Sequence, residues 1–176
     1  MERQLVVFRL NEEFYGVDIA AVDSIIRPQS ITAMPQAPTF IKGITRVRGM
    51  VLPVIDLRKR FGLPACKTTK ETRIVIAQMG NVSVGLLVDA VTEVLKVPET
   101  DIEPPSPLVT AMGAAFFAGI AKVGENSLII VLNLGLVLSA EEQADLHDLR
   151  NQSQRSALAI EQSTVQQSKA YAAVTS

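Results

Sequence analysis

Short apolar runs separated by polar turns dominate the first part of the chain. Gln4–Leu10 is rich in β-branched and large apolar side chains and ends at the polar turn Asn11-Glu12-Glu13, after which Phe14–Val17 is apolar again. Apolar runs of this length, bounded by turn residues, are typical of paired β-strands. The pattern therefore predicts a β-hairpin.

The same pattern returns 69 positions later. Residues 3–27 and 72–96 align without a gap, mostly through the positions of their apolar side chains. A second match follows at nearly the same offset, because residues 40–57 resemble residues 116–134. We interpret these matches as an internal duplication. A duplication predicts two similar β-rich lobes with a groove between them, an arrangement that suits a binding module better than an enzyme.

Each predicted hairpin is followed by a change in apolar spacing. Ile19, Val22, Ile25 and Ile26 fall at i, i+3, i+6 and i+7, a spacing closer to a helical turn than to a strand. The second unit repeats this spacing over residues 88–95. Each unit is therefore predicted to run from strand to strand to short helical turn.

The remaining pattern completes a mainly β prediction. Proline-rich connectors follow both units, and many short strands with regular turn signals favour small barrels. We expect two lobes at roughly 15–70 and 71–138, with the N-terminal strand shared between them.

The end of the chain changes character. Ser139-x-x-Glu142 is a capping-box pattern, which predicts a helix at about 140–150 carrying Leu146 and Leu149. Residues 151–176 are rich in Gln, Ser, Ala and Thr, so we expect a flexible or frayed tail there. Residues 1–150 then form one structured domain.

Composition bounds the classes of function. The 176 residues carry a formal net charge of −1, which provides no general attraction for nucleic acid or anionic lipid. The single cysteine excludes an internal disulfide framework, and no run approaches the ~20 apolar residues that span a bilayer. With no signal-peptide pattern either, we expect a cytoplasmic protein.

The residues that catalysis usually requires are missing or badly placed. The one histidine, His147, falls in the predicted C-terminal helix, so neither a zinc site nor a Ser/His/Asp arrangement can be assembled. Cys66 lies in a predicted loop, and the spacing of Gly43 and Gly49 is not that of a phosphate-binding loop. We expect no catalytic residue, no metal and no cofactor.

Positive charge is concentrated in one stretch. Arg46, Arg48, Arg58, Lys59 and Arg60 fall within fifteen positions, just after Lys42. A small barrel with a basic edge can bind nucleic acid, but this stretch offers few aromatic side chains for stacking on bases. An ordinary solvated face and a partner-binding face both remain open for these residues.

Two adjacent apolar residues also bear on function. Ile25 and Ile26 cannot both point into one small core. Either one of them faces outward, toward a groove or a partner, or the second packs between the lobes.

Several motifs resemble one known family. Tyr15-Gly16-Val17-Asp18-Ile19, the run from Phe40 to Arg58, and the stretches Gly85–Val91 and Phe117–Ile120 are similar to the CheW family of bacterial chemotaxis adaptors. The resemblance covers roughly residues 3–150. It implies two small five-stranded β-barrels around a hydrophobic groove, and no catalysis.

The resemblance also implies partners. Members of the family couple chemoreceptors to the histidine kinase CheA. The cytoplasmic tip of the receptor sits near the groove, and the regulatory domain of the kinase packs against the barrel ends. Other copies of the adaptor join the rings that result.

Carried over position by position, the resemblance implies a set of partner-binding residues. Val22 and Arg48 match positions implicated in coupling to receptor and kinase, Gly43 matches a loop glycine, and Ile25 and Ile26 match the apolar groove.

Two further partner-binding positions depart from the family pattern. Ser24 stands where glutamate is common, although Glu93 holds the equivalent place in the second unit, and Arg46 stands where asparagine is usual. Both changes make the local charge more positive, so they bear on which receptor or kinase is bound.

The sequence thus predicts a non-catalytic adaptor of a chemosensory array. The alternatives are a small β-barrel that binds nucleic acid and, behind it, a small hydrolase.

Overall fold

The protein is mainly β, as the sequence predicts. The computed structural model describes residues 1–107, 116–139 and 141–149, with residues 151 and 155. In chain order the strands are β1 (Glu2–Leu10), β2 (Glu13–Asp18), β3 (Val22–Ile26), β4 (Ile41–Val47), β5 (Met50–Asp56), β6 (Arg73–Met79), β7 (Val82–Val88), β8 (Ala90–Pro98), β9 (Ile102–Glu103), β10 (Phe117–Val123) and β11 (Ser127–Leu132).

The helical segments are short. Two 3-10 turns, Ile19–Ala21 and Glu99–Asp101, lie between strands. The α-helices are α1 (Leu57–Arg60), α2 (Leu134–Val137) and α3 (141–149). None of the helices in the described part of the chain is long and apolar enough to cross a membrane.

The helical turn expected after each hairpin is wrong for most of its length. Only Ile19–Ala21 is helical, and the next five residues are extended as β3. A β-bulge between Val22 and Ser24 inserts one extra residue into the pairing with β6. Because of the bulge, Val22 and Ile25 share a face of the sheet, and their separation by three positions mimics a helical spacing.

The described strands form two sheets of similar design. The first lobe is the five-stranded sheet β3-β6-β7-β5-β4, and the second lobe is the six-stranded sheet β8-β1-β2-β11-β10-β9. The sixth strand, β9, has only two residues, and its counterpart in the first lobe is an isolated bridge between Thr32 and Ile44. The prediction of two small β units is confirmed.

Each lobe combines strands from both units of the repeat. The hairpin β1–β2 of the first unit pairs with β8 and β11 of the second, whereas β6–β7 pairs with β3 and β5 of the first. The sheets therefore do not follow the expected lobes at 15–70 and 71–138, and β1 takes its place in the six-stranded sheet. The two hairpins present equivalent apolar faces, so the pattern alone does not show which strands each hairpin joins.

The pairing registers of the two lobes are equivalent. Leu5 lies opposite Leu95 in the second lobe, and at the same offset Ile74 lies opposite Ile26 in the first. The parallel pairs also correspond, because a glycine faces a valine in both lobes. One pairing pattern used twice is what duplicated units produce.

The main core lies between the lobes. It takes apolar side chains from both sheets and from α1, α2 and α3, and its largest fully buried members include Phe8, Leu10, Ile55, Leu86 and Leu146. Burial of each such side chain stabilises the fold by ~1.5–3 kcal/mol. A smaller cluster fills the interior of each lobe, so the lobes share one core and also have their own.

The predicted capping box begins α3. The backbone N–H of Glu142 donates to Ser139 Oγ at 3.1 Å, and the backbone N–H of Ser139 donates to Glu142 Oε1 at 2.9 Å. Leu146 is 1% exposed in the main core, and Leu149 is half-buried. The expected tail at 151–176 lies outside the described residues, except for residues 151 and 155.

Candidate partner-binding surface

Four of the predicted partner-binding residues lie on β3, an edge strand of the first lobe. Ile26 packs into the interior of that lobe, and Val22 packs against the main core. Ser24 is half-buried, whereas Ile25 is 40% exposed. The two isoleucines thus point to opposite faces of the sheet, and Ile25 is the one that offers an apolar surface at the margin of the main core.

The second lobe has a matching apolar position that sequence reasoning missed. Val94 on the edge strand β8 is 51% exposed and pairs with Val6, just as Ile25 pairs with Val75. The available signal was the repeat itself, which aligns Val94 with Ile25. Each lobe therefore carries one exposed aliphatic side chain on its edge strand.

The remaining basic positions lie on the hairpin of β4 and β5. Arg46 is exposed near the end of β4, and Arg48 is exposed in the turn that follows. Arg48 and Gly49 have φ values of +52° and +80°, as the two central residues of a type I′ turn require. This geometry places the Arg48 side chain at the tip of the hairpin.

Gly43 has a different environment, because it is buried. A Cβ atom at this position would collide with the carbonyl oxygen of Thr32, and the φ of Gly43 is +155°. The close approach of the chain after β3 thus explains why glycine is needed here. The backbone of Thr32 pairs with that of Ile44, with both N–H···O distances at 2.8 Å.

The connector after β3 joins the two groups of predicted residues. Gln29 Nε2 donates to Thr45 Oγ1 at 2.8 Å and to the carbonyl of Arg46 at 2.5 Å. Thr45 Oγ1 donates in turn to the carbonyl of Ser30 at 2.9 Å. Thr45 is only 4% exposed, so these bonds hold the connector firmly along β4. The segment that follows β3 is therefore hydrogen-bonded directly to the β4–β5 hairpin.

Two other members of the basic stretch, Arg58 and Arg60, point inward, whereas Lys59 is exposed. Arg58 is 8% exposed and makes a two-point ion pair with Asp89, from Nε to Oδ1 at 2.7 Å and from Nη2 to Oδ2. Its Nη1 donates to the carbonyl of Pro64 at 2.6 Å. Asp89 also accepts the backbone N–H of Asn11 at 2.6 Å, so the pair connects the two lobes.

The ion pair sets the charge of both partners. The hydrogen bond to Asp89 raises the pKa of Arg58 further, against the opposing effect of burial. Burial alone would raise the pKa of Asp89, but the hydrogen bonds from Arg58 and Asn11 outweigh it and lower that pKa below its ordinary value. Both groups stay ionised, and Arg58 serves the fold.

Arg60 has a similar internal role. Its guanidinium donates to the carbonyl of Val137 at 2.9 Å and to both carboxylate oxygens of Glu142 at 3.1 and 3.2 Å. It also lies 5.1 Å above the ring of Phe40. Burial opposes ionisation of Glu142, but hydrogen bonds from Ser139 and the charge of Arg60 lower its pKa. This contact fastens α3 to α1.

The acidic residues near strand ends act mainly as caps. Asp18 accepts the backbone N–H of Ala20 at 2.9 Å, and Asp56 accepts that of Arg58 at 3.0 Å. Within the described ranges no group of three or more His, Cys, Asp or Glu residues could hold a metal ion. Cys66 and His147 are both exposed. The described surface offers an exposed aliphatic side chain on β3 and exposed cations on the β4–β5 hairpin.

Comparison with known proteins gives a consistent result. Residues 4–142 match the family model of the CheW-like domain. The chemotaxis protein CheW of Treponema pallidum is 32% identical over 150 residues, covering 83% of this chain and 88% of that protein. The chemotaxis protein CheW of Rhizobium meliloti is 35% identical over 141 residues, covering 80% and 90%.

A solved structure is similar as well. The scaffolding protein TtCheW from Thermoanaerobacter tengcongensis superposes with a TM-score of 0.74 at 43% sequence identity. The match covers 81% of this chain and 96% of that one.

Proposed function

This chain belongs to the CheW-like domain family, and from that premise we propose that it is a non-catalytic adaptor that couples chemoreceptors to a CheA-type histidine kinase. The observation that carries the proposal is the arrangement of the first lobe. Ile25 is 40% exposed on an edge strand, and the connector that follows it is hydrogen-bonded to the strand that carries Arg46. The first lobe thus carries an apolar site on β3 and a charged site on the β4–β5 hairpin, joined through the connector that follows β3.

The two sites suit two partners. We assign the β3 edge, with Val22, Ser24, Ile25 and Ile26, to the cytoplasmic tip of a chemoreceptor, whose amphipathic helices need an apolar contact. We assign the β4–β5 hairpin to the regulatory domain of the kinase.

The proposed mechanism is binding and geometry without chemistry. An adaptor that contacts both partners shifts the population of active kinase if its contacts differ between the two receptor states. The size of the effect equals the coupling free energy between the two sites. The bonds from Gln29 to Thr45 and Arg46 connect the segment after β3 with the β4–β5 hairpin.

The alternative of nucleic-acid binding loses support from the same contacts. Arg58 and Arg60 belong to the basic stretch that suggested it, and both are engaged in internal ion pairs. Phe61, one of the two aromatic side chains of that stretch, stacks between Tyr15 and Phe116 at centroid distances of 5.6 and 4.8 Å. Two of the five cations of that stretch and one of its two aromatic side chains therefore have internal partners.

A parallel binding experiment tests the proposal. The full chain is titrated with a receptor tip fragment, with a kinase regulatory domain and with single-stranded DNA. We expect both protein fragments to bind and the DNA to show no measurable affinity at physiological salt. Tight, salt-sensitive DNA binding without kinase binding would rule out the adaptor.

A further inference from the structure

A cleft with a volume of about 220 Å³ opens between the two lobes, beside the end of the first hairpin. Arg9 and Asn11 line it from the second lobe, whereas Lys67 and Thr72, in the connection before β6, line it from the first. Neither of the two partner surfaces proposed above includes these residues. A ligand in this cleft would contact both lobes at once.

Buried polar groups form part of the cleft wall. Arg58 and Thr72 both line the cleft and are only 8% and 6% exposed. The guanidinium of Arg58 is held by Asp89 and by the carbonyl of Pro64. The hydroxyl of Thr72 accepts the backbone N–H of Thr69 at 2.9 Å, so its own hydrogen is left to donate to a ligand. Convergent polar groups that other contacts hold in place are typical of a ligand site.

Arg9 adds a donor without an acceptor. Its Nη2 donates to Glu71 at 3.2 Å, but its Nε is buried and has no hydrogen-bond partner among the described residues. A buried N–H group that lacks an acceptor destabilises the fold, and an oxygen atom of a ligand at this position would satisfy it. The side chain of Arg9 is therefore suited to binding an anion.

Positive charge also exceeds negative charge around the cleft. Arg58 and Asp89 neutralise each other, and Glu71 faces Arg9 only through Nη2. Lys67 is exposed and forms no ion pair within the described part of the chain. A cleft with such an excess of one charge concentrates the field and attracts ions of the opposite sign.

We propose that this cleft binds the phosphate group of a small molecule, a function that goes beyond the coupling of two proteins. The donors come from three segments of the chain: the guanidinium of Arg9, the ammonium of Lys67 and the hydroxyl of Thr72. A phosphate monoester carries about two negative charges and three acceptor oxygens at neutral pH, which matches these donors better than a carboxylate does. The volume of the cleft holds a phosphate group with a small substituent.

Titration of the full chain with inorganic phosphate tests the site. Calorimetry measures the affinity, and differential scanning calorimetry measures the thermal midpoint, both at an ionic strength held constant with sodium chloride. We expect saturable binding and a midpoint that rises with the phosphate concentration, because the folded state alone binds the ligand. A parallel titration with glycerol 3-phosphate distinguishes the sources: the tighter of the two ligands shows whether the site takes a monoester or the free ion.

Three substitutions locate the site. Arg9→Gln should weaken phosphate binding by about tenfold, through loss of the buried donor and its charge. Lys67→Gln should weaken it by about threefold. This second variant breaks no described ion pair, so it decides the matter even if loss of the contact with Glu71 destabilises Arg9→Gln. Lys96→Gln is the matched control, because it removes an exposed cation that pairs with Gln4, toward the other end of β1. It should leave the affinity unchanged.

The other outcomes overturn the proposal. Absence of saturable binding for both phosphate compounds would remove the site. Acetate binding as tight as phosphate binding, or an equal loss for Lys96→Gln, would reduce it to general attraction of anions. Binding of a phosphoserine peptide without binding of either small phosphate would assign the cleft to a partner protein. None of these measurements uses the receptor or the kinase, so the adaptor function stands or fails separately.

Discussion

The two lobes have the same pairing pattern and differ in what fills and covers them. Among the residues that the structure describes, the interior of the second lobe contains six buried apolar residues, whereas that of the first contains three, Leu52, Ile74 and Ile76. The first lobe has four exposed cations and no acidic residue between positions 24 and 55, and its Arg58 pairs with Asp89 where the second lobe has Gly135 at the place of Arg58. Duplicated units can thus keep one backbone design while one lobe gains packing and the other gains charge.

The largest effect is expected from a substitution that breaks the ion pair between Arg58 and Asp89. Asp89→Ala removes the partner of a nearly buried guanidinium and should lower the free energy of unfolding by ~3 kcal/mol. Urea denaturation followed by circular dichroism measures the change. The double variant Arg58→Ala/Asp89→Ala should lose less than the sum of the single variants, because it leaves no unpaired charge behind. A loss below ~1 kcal/mol for Asp89→Ala would mean that water replaces the pair.

A second prediction compares equivalent glycines. A Cβ on Gly85 in the first lobe would lie 2.8 Å from Ile74 Cγ2, whereas on Gly16 in the second lobe it would lie 3.2 Å from Ile129 Cγ2. Gly85→Ala should therefore destabilise the protein by ~2 kcal/mol through overpacking. Gly16→Ala should change stability by less than ~1 kcal/mol, because the gain in strand propensity offsets a milder contact. The same denaturation experiment tests both variants. Equal losses of stability would show that the two lobes accommodate the added methyl group equally well.

A third prediction compares the two exposed aliphatic residues. If the receptor tip uses the β3 edge, Ile25→Ala should weaken its binding by about tenfold, or ~1.4 kcal/mol. Val94→Ala is the matched control on the second lobe and should leave the affinity unchanged. Calorimetry with the receptor tip fragment decides the matter. Equal losses for the two variants would place the fragment across both lobes.

The smallest expected effect is the loss of folding stability at acidic pH. The folded-state pKa values of Asp89 and Glu142 lie below their ordinary values of 3.8 and 4.5, so their contributions are complete above those values. They are lost as pH falls through the lower folded-state values, because the unfolded chain then binds more protons. Stability should be flat near neutral pH and decline below about pH 4.5.

Glu142→Gln separates the two carboxylates in the same pH series. It should cost ~1 kcal/mol at neutral pH, through the weakened contacts with Arg60 and Ser139. The variant should then lose less stability than the unchanged protein on acidification. Parallel pH curves for the two proteins would contradict a role for the Glu142 carboxylate.

Much of the fold was predictable from local pattern. The strands and the capping box of Ser139 depend on residues close in sequence, so their signals are complete in short windows. The helical turn after each hairpin was wrong because a bulge reproduces helical spacing, and a bulge is visible only when the partner strand is known. The sequence predicted the positions of the candidate site but not the orientation of their side chains. Which of Ile25 and Ile26 faces outward depends on the register with β6.

The sequence by itself determined the repeat, the class of fold and the absence of acidic residues between positions 24 and 55. These properties depend on residue types and on their order. Only the tertiary structure decided that the hairpins exchange between units and that Arg58 and Arg60 turn inward. Each of these features depends on contacts between segments far apart in the chain, and packing over the whole molecule selects those contacts.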